Sequence, residues 1–347
     1  MKQVLTGSVC IFLLVACMAA PAPPTLIPTA TKQQPVPTLE ATSAPTQPVT
    51  ETPAPAEPSA GEIALAYVDA IANGIGPRPA GSQQEAQTVQ YLTQVFEELR
   101  YPTEVRPFSI SVEGNTIESA NIVAIKYGTS SREIIVGAHY DSVKVGKGAD
   151  DNASGVAVLL EVAARIAELE TPYTVRFILF GAEEAGLHGS KTYVAGMTDE
   201  QKQNTITMIN LDSLAAGDIA YIYGDAGAKG TIRDWALQFA AERDLPLQTQ
   251  TGLNPEYPVG TTGDWSDHAP FKAAGIPYTY FESTNWTLGN KDGYTQVDPQ
   301  YAEQGEIWHT QYDTLDYIEA TFPGRMQERL GLFVTVLEAI VTQYQAQ

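Results

Sequence analysis

Apolar side chains along this chain of 347 residues follow two different periods. Uninterrupted apolar runs at 122–125, 134–138 and 175–180 predict strands that are covered on both faces, because a half-exposed strand would alternate. Between the second and third runs, residues 154–169 repeat their apolar side chains at helical spacing. A strand, a helix and a strand in this order indicate a parallel sheet with crossover helices.

The same two periods continue toward both ends of the chain. Helical spacing predicts further helices at 65–72, 84–99, 230–242 and 325–344, and apolar runs predict strands at 207–211, 220–223 and 278–281. We therefore predict an α/β fold with a mostly parallel central β-sheet flanked by helices. Residues 61–347 contain no second linker and no internal repeat, so they are expected to form one domain.

The first 17 residues are typical of an export signal. A lysine follows the initiating methionine, and the apolar stretch 4–16 is too short to span a bilayer. The stretch ends in Leu14-Val-Ala-Cys17, which resembles the lipobox of bacterial lipoproteins. That resemblance implies an exported protein whose lipidated Cys17 holds it to the outer face of a bacterial cell membrane. The alternative is an ordinary signal peptide, cut between Ala16 and Ala22, which would leave a secreted protein.

Residues 18–60 are predicted to form a disordered linker. They contain 11 of the 23 prolines and eight threonines but almost no large apolar side chains, so they cannot bury a core. In a polyproline II conformation, with roughly 3.1 Å per residue, this segment could extend on the order of 130 Å at most. We expect it to act as a tether.

The charge and the cysteine content of the domain argue against some partners and exclude some kinds of metal site. All but two of the 20 basic side chains and all but three of the 41 acidic ones lie from Gly61 onward, a net charge of about −20. Such a charge disfavours nucleic acid and anionic membrane surfaces as partners. Both cysteines lie at or before Cys17, so the domain has neither disulfides nor thiolate metal ligands.

Five short segments concentrate carboxylates and imidazoles, which are the ligands that Zn²⁺ takes when thiolates are absent. They are His139-Tyr-Asp141, Asp150-Asp-Asn152, Glu183-Glu184, Asn210-Leu-Asp212 and Trp308-His-Thr-Gln-Tyr-Asp313. Three of them follow predicted strands, and open α/β sheets bind ligands beyond the carboxyl ends of their strands. Two histidines with three or more carboxylates suffice for two ions that share one ligand, so we predict a hydrolytic site with two metal ions.

The residues themselves suggest some roles and leave others open. A ligating imidazole usually donates its other N–H to a carboxylate, so Asp141 is expected to orient His139. Asp151 precedes a predicted helix and could equally be part of a capped helix start. Of the adjacent Glu183 and Glu184, one can bind a metal ion while the other transfers protons.

Other candidates are less specific. Asp212 ends an apolar run, where an unpaired carboxylate would be costly, so it needs a cation or hydrogen-bond donors. Asp267 and His268 could support the site or face the substrate, or they could be plain loop residues. Residues 283–313 form a long predicted loop rich in aromatic side chains, which could either line a substrate pocket or anchor the loop to the core.

The order and spacing of the five segments resemble the di-zinc exopeptidases of metallopeptidase family 28, which includes leucyl aminopeptidases and aminopeptidase Y. The likeness extends to Gly76-Pro-Arg-Pro-Ala-Gly-Ser82 and implies the phosphorylase/hydrolase-like zinc exopeptidase fold. It also implies two Zn²⁺ per chain and a cis peptide bond between Asp151 and Asn152. The implied ligands are His139 and Asp212 for one ion, Glu184 and His309 for the other, and Asp151 as the bridge. Glu183 would be the general base and acid.

This resemblance implies an aminopeptidase that hydrolyses the N-terminal bond of peptides with a free N-terminus. We expect the protein to be a monomer. One residue departs from the pattern, because some relatives have an oxyanion-stabilising tyrosine where Trp308 stands here. Tyr312 is a candidate for that role, and Asp313 is expected to support the site. Three alternatives stay open: a glutaminyl cyclase with one zinc, a carboxypeptidase-type member of the same fold, and a binding lipoprotein without catalytic activity.

Overall fold

The computed structural model describes residues 58–112 and 114–346. An eight-stranded sheet in the order β1-β2-β4-β3-β5-β8-β6-β7 forms the centre of this part of the chain. The predictions for the signal peptide, for lipidation at Cys17 and for nearly all of the linker fall on residues 1–57, which lie outside the described residues. Among the described residues, no helix combines the length and the apolar character needed to cross a membrane.

The bounds of the regular elements are as follows. The strands are β1 Thr103–Val112, β2 Asn115–Lys126, β3 Ser130–His139, β4 Tyr173–Phe180, β5 Thr205–Leu211, β6 Ile219–Gly224, β7 Leu247–Gln248 and β8 Tyr278–Thr284. The α-helices are α1 Glu62–Val68, α2 Gln83–Glu98, α3 Gly155–Ile166, α4 His188–Ala195, α5 Asp199–Asn204, α6 Thr231–Ala241, α7 His268–Ala273, α8 Leu315–Thr321 and α9 Arg325–Gln343. Asp69–Ile75 forms a π-helical turn that is continuous with α1, Ala149–Ser154 forms a turn with non-helical backbone at Asp151 and Asn152 that leads into α3, and Gly227–Lys229 and Glu303–Gly305 form short 3₁₀ turns.

The middle of the sheet is parallel, as the apolar runs predict. Strands β4, β3, β5 and β8 are parallel neighbours, and the β3 and β4 registers align His139 with Phe180. Because parallel strands end at the same edge, the residues that follow β3, β4 and β5 come together there. The α/β prediction is confirmed, although on the flanks β1 is antiparallel to β2, β2 to β4 and β6 to β8, while the short β7 is parallel to β6.

Helices cover both faces of the sheet. Helix α3 packs against α1 and α9 on one face, and every side chain from Val156 to Ala163 is buried. Helices α4 and α7 contribute Tyr193 and Phe271 to a second apolar cluster with Phe180 of β4. The strands that carry the site therefore have apolar packing on both sides, which restrains the position of their ends.

Two kinds of secondary-structure element are not predicted from the sequence. Strand β1 and the first half of β2 form an antiparallel hairpin whose side chains are mostly exposed, so they lack the apolar runs that mark the central strands. Helices α4, α5, α7 and α8 have only six to eight residues, too few for a helical period to be recognised. Most of the predicted central elements differ from the observed bounds by one to three residues.

Candidate metal centre

The predicted ligand residues converge at the carboxyl edge of the parallel strands. His139 is the last residue of β3 and is 1% exposed, Asp212 follows β5, and Glu184 lies four residues beyond β4. Asp151 belongs to the turn before α3, and His309 lies in the connection between β8 and α8. Five segments that are far apart in the chain thus meet in one place.

Asp151 lies between the two histidines, with one carboxylate oxygen toward each. Its Oδ1 is 3.1 Å from His139 Nε2, and its Oδ2 is 3.1 Å from His309 Nε2. Asp212 Oδ1 lies 3.4 Å from the same His139 nitrogen, and Glu184 Oε2 lies 2.9 Å from the same His309 nitrogen. Two sets of three ligand groups therefore share Asp151, and a third set, His139, Glu183 and Glu184, lies beside them without Asp151.

These separations suit zinc. A tetrahedral ion with ligands at about 2.0–2.2 Å holds its ligand atoms about 3.3–3.6 Å apart, so small adjustments of these side chains would complete both sites. Each set supplies three protein ligands, which leaves one position open, as in catalytic zinc sites. The residues that could hold two ions are therefore His139, Asp151 and Asp212 for one and Asp151, Glu184 and His309 for the other.

The electrostatics of the cluster favour added positive charge. Hydrogen bonds to Asp151 and Glu184 raise the pKa of His309 to about 11, so without a metal this imidazole holds a proton. Burial raises the pKa of Glu184 to about 7, and the neighbouring charge of Asp151 contributes to the same shift. A bound cation would replace the proton on His309 and stabilise the ionised carboxylates.

Glu183 lies beside both sets with its carboxylate inside the site. Its Oε2 is 4.0 Å from His139 Nε2. Burial raises the pKa of Glu183 well above its usual range; His139 opposes this shift, and Asp267 and Asp212 add to it. A carboxylate in such a position can accept and release a proton more readily near neutral pH than an exposed glutamate can.

Asp141 holds the two glutamates through their backbone. Its Oδ1 accepts a hydrogen bond from Glu183 N at 3.0 Å, and its Oδ2 accepts one from Glu184 N at 3.3 Å. Toward His139 Nδ1, the nearer group is the backbone carbonyl of Asp141 at 3.3 Å, and the Asp141 carboxylate lies at 3.6 Å. The side chain therefore connects the end of β3 to the turn after β4.

Replacement of Asp141 by asparagine should weaken this connection. The asparagine amide nitrogen cannot accept from Glu183 N–H or Glu184 N–H, so one of the two glutamates loses its backbone restraint. We expect metal affinity or kcat/KM to fall by roughly 10- to 100-fold, the range for groups that position ligands. Zinc titration and kinetics measure the effect, with Asp244→Asn as the control at an exposed position. Wild-type values for Asp141→Asn in both assays would contradict a positioning role.

Asp313 supports the turn that carries Asp151. Its carboxylate accepts hydrogen bonds from Asp150 N at 2.6 Å and Asp151 N at 3.2 Å. The peptide bond between Asp151 and Asn152 is cis, which confirms the prediction made from the resemblance. The side-chain amide of Asn152 donates from Nδ2 to Leu211 O at 2.8 Å, so the turn is also connected to the end of β5.

Two further supporting residues did not emerge as site residues from the sequence. Arg78 is completely buried and donates to the carbonyl oxygens of Lys147 and Gly148, each at 2.8 Å, just before the Asp151 turn. Gln296 donates to Asp150 Oδ2 at 2.7 Å and accepts from Trp308 N at 2.9 Å. Arg78 could have been found because it belongs to the Gly-Pro-Arg-Pro segment, whereas Gln296 belongs to no motif that indicates a role in the site.

The remaining candidates occupy different places. Asp267 is completely buried behind the cluster, where its charge acts on Glu183. His268 stacks against tyrosine rings and its Nε2 lies 3.0 Å from Gly263 O; burial lowers its pKa to about 4. Trp308 lines a cavity beside the cluster, but Tyr312 packs against Tyr317 and is not among the residues that line this cavity.

The cavity has a volume of about 390 Å³ and opens onto the candidate metal site. Its lining includes all the predicted metal ligands and Glu183, together with aromatic side chains and two further acids. The aromatic residues are Trp265, Tyr280, Tyr294 and Trp308, and the acids are Asp264 and Glu282. Aromatic residues from the predicted loop thus do form part of its wall.

The chain is similar in sequence to bacterial proteins over most of its length. The chain is 31% identical to the alkaline phosphatase isozyme conversion protein of Escherichia coli, over 82% of this chain and 91% of that protein. It is 28% identical to the probable lipoprotein aminopeptidase LpqL of Mycobacterium tuberculosis, over 76% of this chain and 55% of that protein.

Solved structures share the fold at low sequence identity. A zinc aminopeptidase from Bacillus subtilis superposes with a TM-score of 0.66 and 20% identity, covering 84% of this chain and 97% of that one. A glutaminyl cyclase from Porphyromonas gingivalis gives a TM-score of 0.63 and 20% identity, covering 80% of this chain and 96% of that one.

A match to the sequence profile of a protein family assigns the chain to that family. The profile of Peptidase family M28 matches residues 121–334, more than half of the chain, and this range contains all five predicted metal ligands and Glu183. The chain therefore belongs to Peptidase family M28.

Proposed function

We propose that this member of the family is a zinc-dependent aminopeptidase that uses two zinc ions and Glu183 to hydrolyse the N-terminal peptide bond of peptides. The observation that carries the proposal is the position of Asp151, which faces both histidines at 3.1 Å. A carboxylate shared in this way holds two ions close enough to act on one substrate.

When bound, the two ions would supply Lewis-acid polarisation of the scissile carbonyl and would make a water molecule more acidic. Glu183 takes the proton from the attacking water and returns it to the leaving amine. Burial favours the protonated carboxyl group that this transfer forms, because it raises the pKa of Glu183. Asp141 holds Glu183 and Glu184 in place through their backbone N–H groups.

The cavity can hold the N-terminal residue of a peptide. Its volume of about 390 Å³ is larger than that of any single amino-acid residue, and an exopeptidase needs room for one residue beside the scissile bond. Outside the proposed zinc ligands, Glu183 lines the cavity, and its negative charge attracts the ammonium group of a free N-terminus. Among the described residues, the cavity wall has no lysine or arginine to bind a substrate carboxylate, so it favours aminopeptidase over carboxypeptidase activity.

We further propose that the protein is exported and works as a monomer on a lipid anchor at Cys17. The lipobox-like segment supports the anchor, and the name of the LpqL relative describes that protein as a probable lipoprotein aminopeptidase. The proline-rich linker would let the domain reach substrates at a distance from the membrane.

A panel of aminoacyl 4-nitroanilides tests the activity. We expect the zinc-loaded protein to hydrolyse free aminoacyl anilides, to ignore their N-acetylated forms, and to lose activity in a chelator. Hippuryl amino acids test carboxypeptidase activity, and glutaminyl 2-naphthylamide tests cyclisation. Activity that resists chelation, or cyclisation without anilide hydrolysis, would contradict the proposal.

A further inference from the structure

Glu282 is a buried carboxylate in the wall of the substrate cavity. It lies on β8 next to the cavity-lining Tyr280 and is only 2% exposed. Its oxygens accept hydrogen bonds from Tyr223 Oη at 2.9 Å and Tyr280 Oη at 3.2 Å. Trp286 Nε1 in turn donates to Tyr223 Oη at 2.7 Å, so a chain of aromatic donors fixes the carboxylate in position.

The fold itself gives this carboxylate no counter-charge. Within the described residues, no lysine, arginine or histidine nitrogen lies within 4.0 Å of Glu282, whereas the buried Glu133 and Glu161 have an arginine partner. Glu85 is also buried without a basic partner among these residues, but it does not line the cavity. Burial, with the charge of Asp212, raises the pKa of Glu282 to about 8. A buried acid without a basic partner is costly, and glutamine could accept from one tyrosine hydroxyl through Oε1 and donate to the other through Nε2 at lower cost.

Aromatic side chains complete the environment that a cationic side chain requires. Trp265, Tyr294 and Trp308 all line the cavity, and Tyr294 meets both tryptophans edge to face, with ring centroids 5.2 Å and 6.2 Å apart. Such rings cover the aliphatic part of a long side chain and attract a cation over their faces. A carboxylate offers about four acceptor positions, of which the two tyrosines use two.

We infer that Glu282 selects peptides whose N-terminal residue has a cationic side chain, arginine or lysine. The inference rests on the proposed aminopeptidase activity and assigns the substrate class of the same site. The α-ammonium group of such a peptide must lie near the scissile bond, beside Glu183 and Asp212. Glu282 is then free to bind the side chain, and a guanidinium can do so with two hydrogen bonds.

The first test compares arginine, citrulline and leucine 4-nitroanilides with the zinc-loaded protein. Citrulline has the shape of arginine without its charge. A charge-assisted hydrogen bond in a buried site changes kcat/KM by about 10- to 100-fold. We therefore expect kcat/KM for the arginine anilide to exceed that for the citrulline anilide by this factor. In Glu282→Gln the preference should disappear, while zinc content and thermal unfolding near the wild-type values show that the variant is folded.

Comparison variants distinguish Glu282 from the other acids of the cavity. Asp264→Asn removes a charge at the same cavity, but Lys272 lies 2.5 Å from that carboxylate, so arginine preference should persist. An equal loss of all three substrates in Glu282→Gln would assign Glu282 to the α-ammonium group and overturn the inference. Absence of arginine preference in the wild-type protein would overturn it without any variant.

Binding of the free amino acids gives a result that does not depend on hydrolysis. Titration of tryptophan fluorescence with L-arginine and L-citrulline should show tighter binding of arginine by about 10- to 100-fold in the wild-type protein and equal binding in Glu282→Gln. If no anilide is hydrolysed but this difference is found, the proposed activity fails and the selectivity of Glu282 stands. Equal affinities in the wild-type protein would overturn the selectivity even if anilides are hydrolysed.

Discussion

Glu183→Gln is expected to lower kcat by roughly 10²- to 10⁴-fold while zinc content stays near the wild-type value. Glutamine keeps the shape of the side chain but cannot accept the proton of the attacking water. Glu183 belongs to neither set of donor atoms around Asp151, so both ions should remain bound. The loss would then lie in the chemical step rather than in the assembly of the site.

Steady-state kinetics with a leucine anilide, together with metal analysis of the same samples, separate these two effects. Glu200→Gln is a matched control, because it makes the same substitution at an exposed position of α5. Turnover near wild type in Glu183→Gln would remove Glu183 from the role of general base. Loss of zinc from the variant would instead assign it to the metal ligands.

Asp151→Asn is expected to have the second large effect, on metal binding itself. The aspartate presents one oxygen to each histidine, whereas asparagine presents one oxygen and one amide nitrogen that cannot bind zinc. Loss of a positioning group typically weakens metal binding about 10- to 100-fold, and loss of a shared ligand should exceed that range. We therefore expect at most one tightly bound zinc and almost no hydrolysis.

Zinc affinity measured by competition with a chelating dye, before and after dialysis, tests this expectation. Asp244→Asn serves as the control, because Asp244 is exposed and its left-handed backbone conformation suits asparagine. Two zinc ions bound with wild-type affinity in Asp151→Asn would show that this residue does not bridge them.

The sequence predicts the central architecture because its signals are local. Buried parallel strands appear as apolar runs, and ligands such as His139 and Asp212 stand at or directly after the strand ends, so the pattern brings distant residues to one edge. The choice of Asp151 over Asp150 came from the family resemblance instead, and the contacts show how the two differ. Asp150 accepts from Ala215 N at 2.7 Å and Ala216 N at 2.9 Å, whereas Asp151 faces the histidines.

Residues that act through long-range contacts could not be predicted in this way. Asp141 follows His139 closely in sequence, yet its carboxylate bonds to a turn 42 and 43 residues away. Glu282 is preceded by an apolar run and resembles the end of a strand, and only its contact with Tyr223 and the cavity distinguishes it. Such roles depend on packing between elements, which leaves no periodic signal in the sequence.

Zinc stoichiometry against activity is the most direct test of the two-ion site. Metal-free protein, prepared with a chelator, is titrated with zinc while bound metal and hydrolysis of a leucine anilide are measured on the same samples. We predict two tight equivalents per chain, with full activity only when the second is bound. Full activity at one equivalent, or activity in the metal-free protein, would contradict the account.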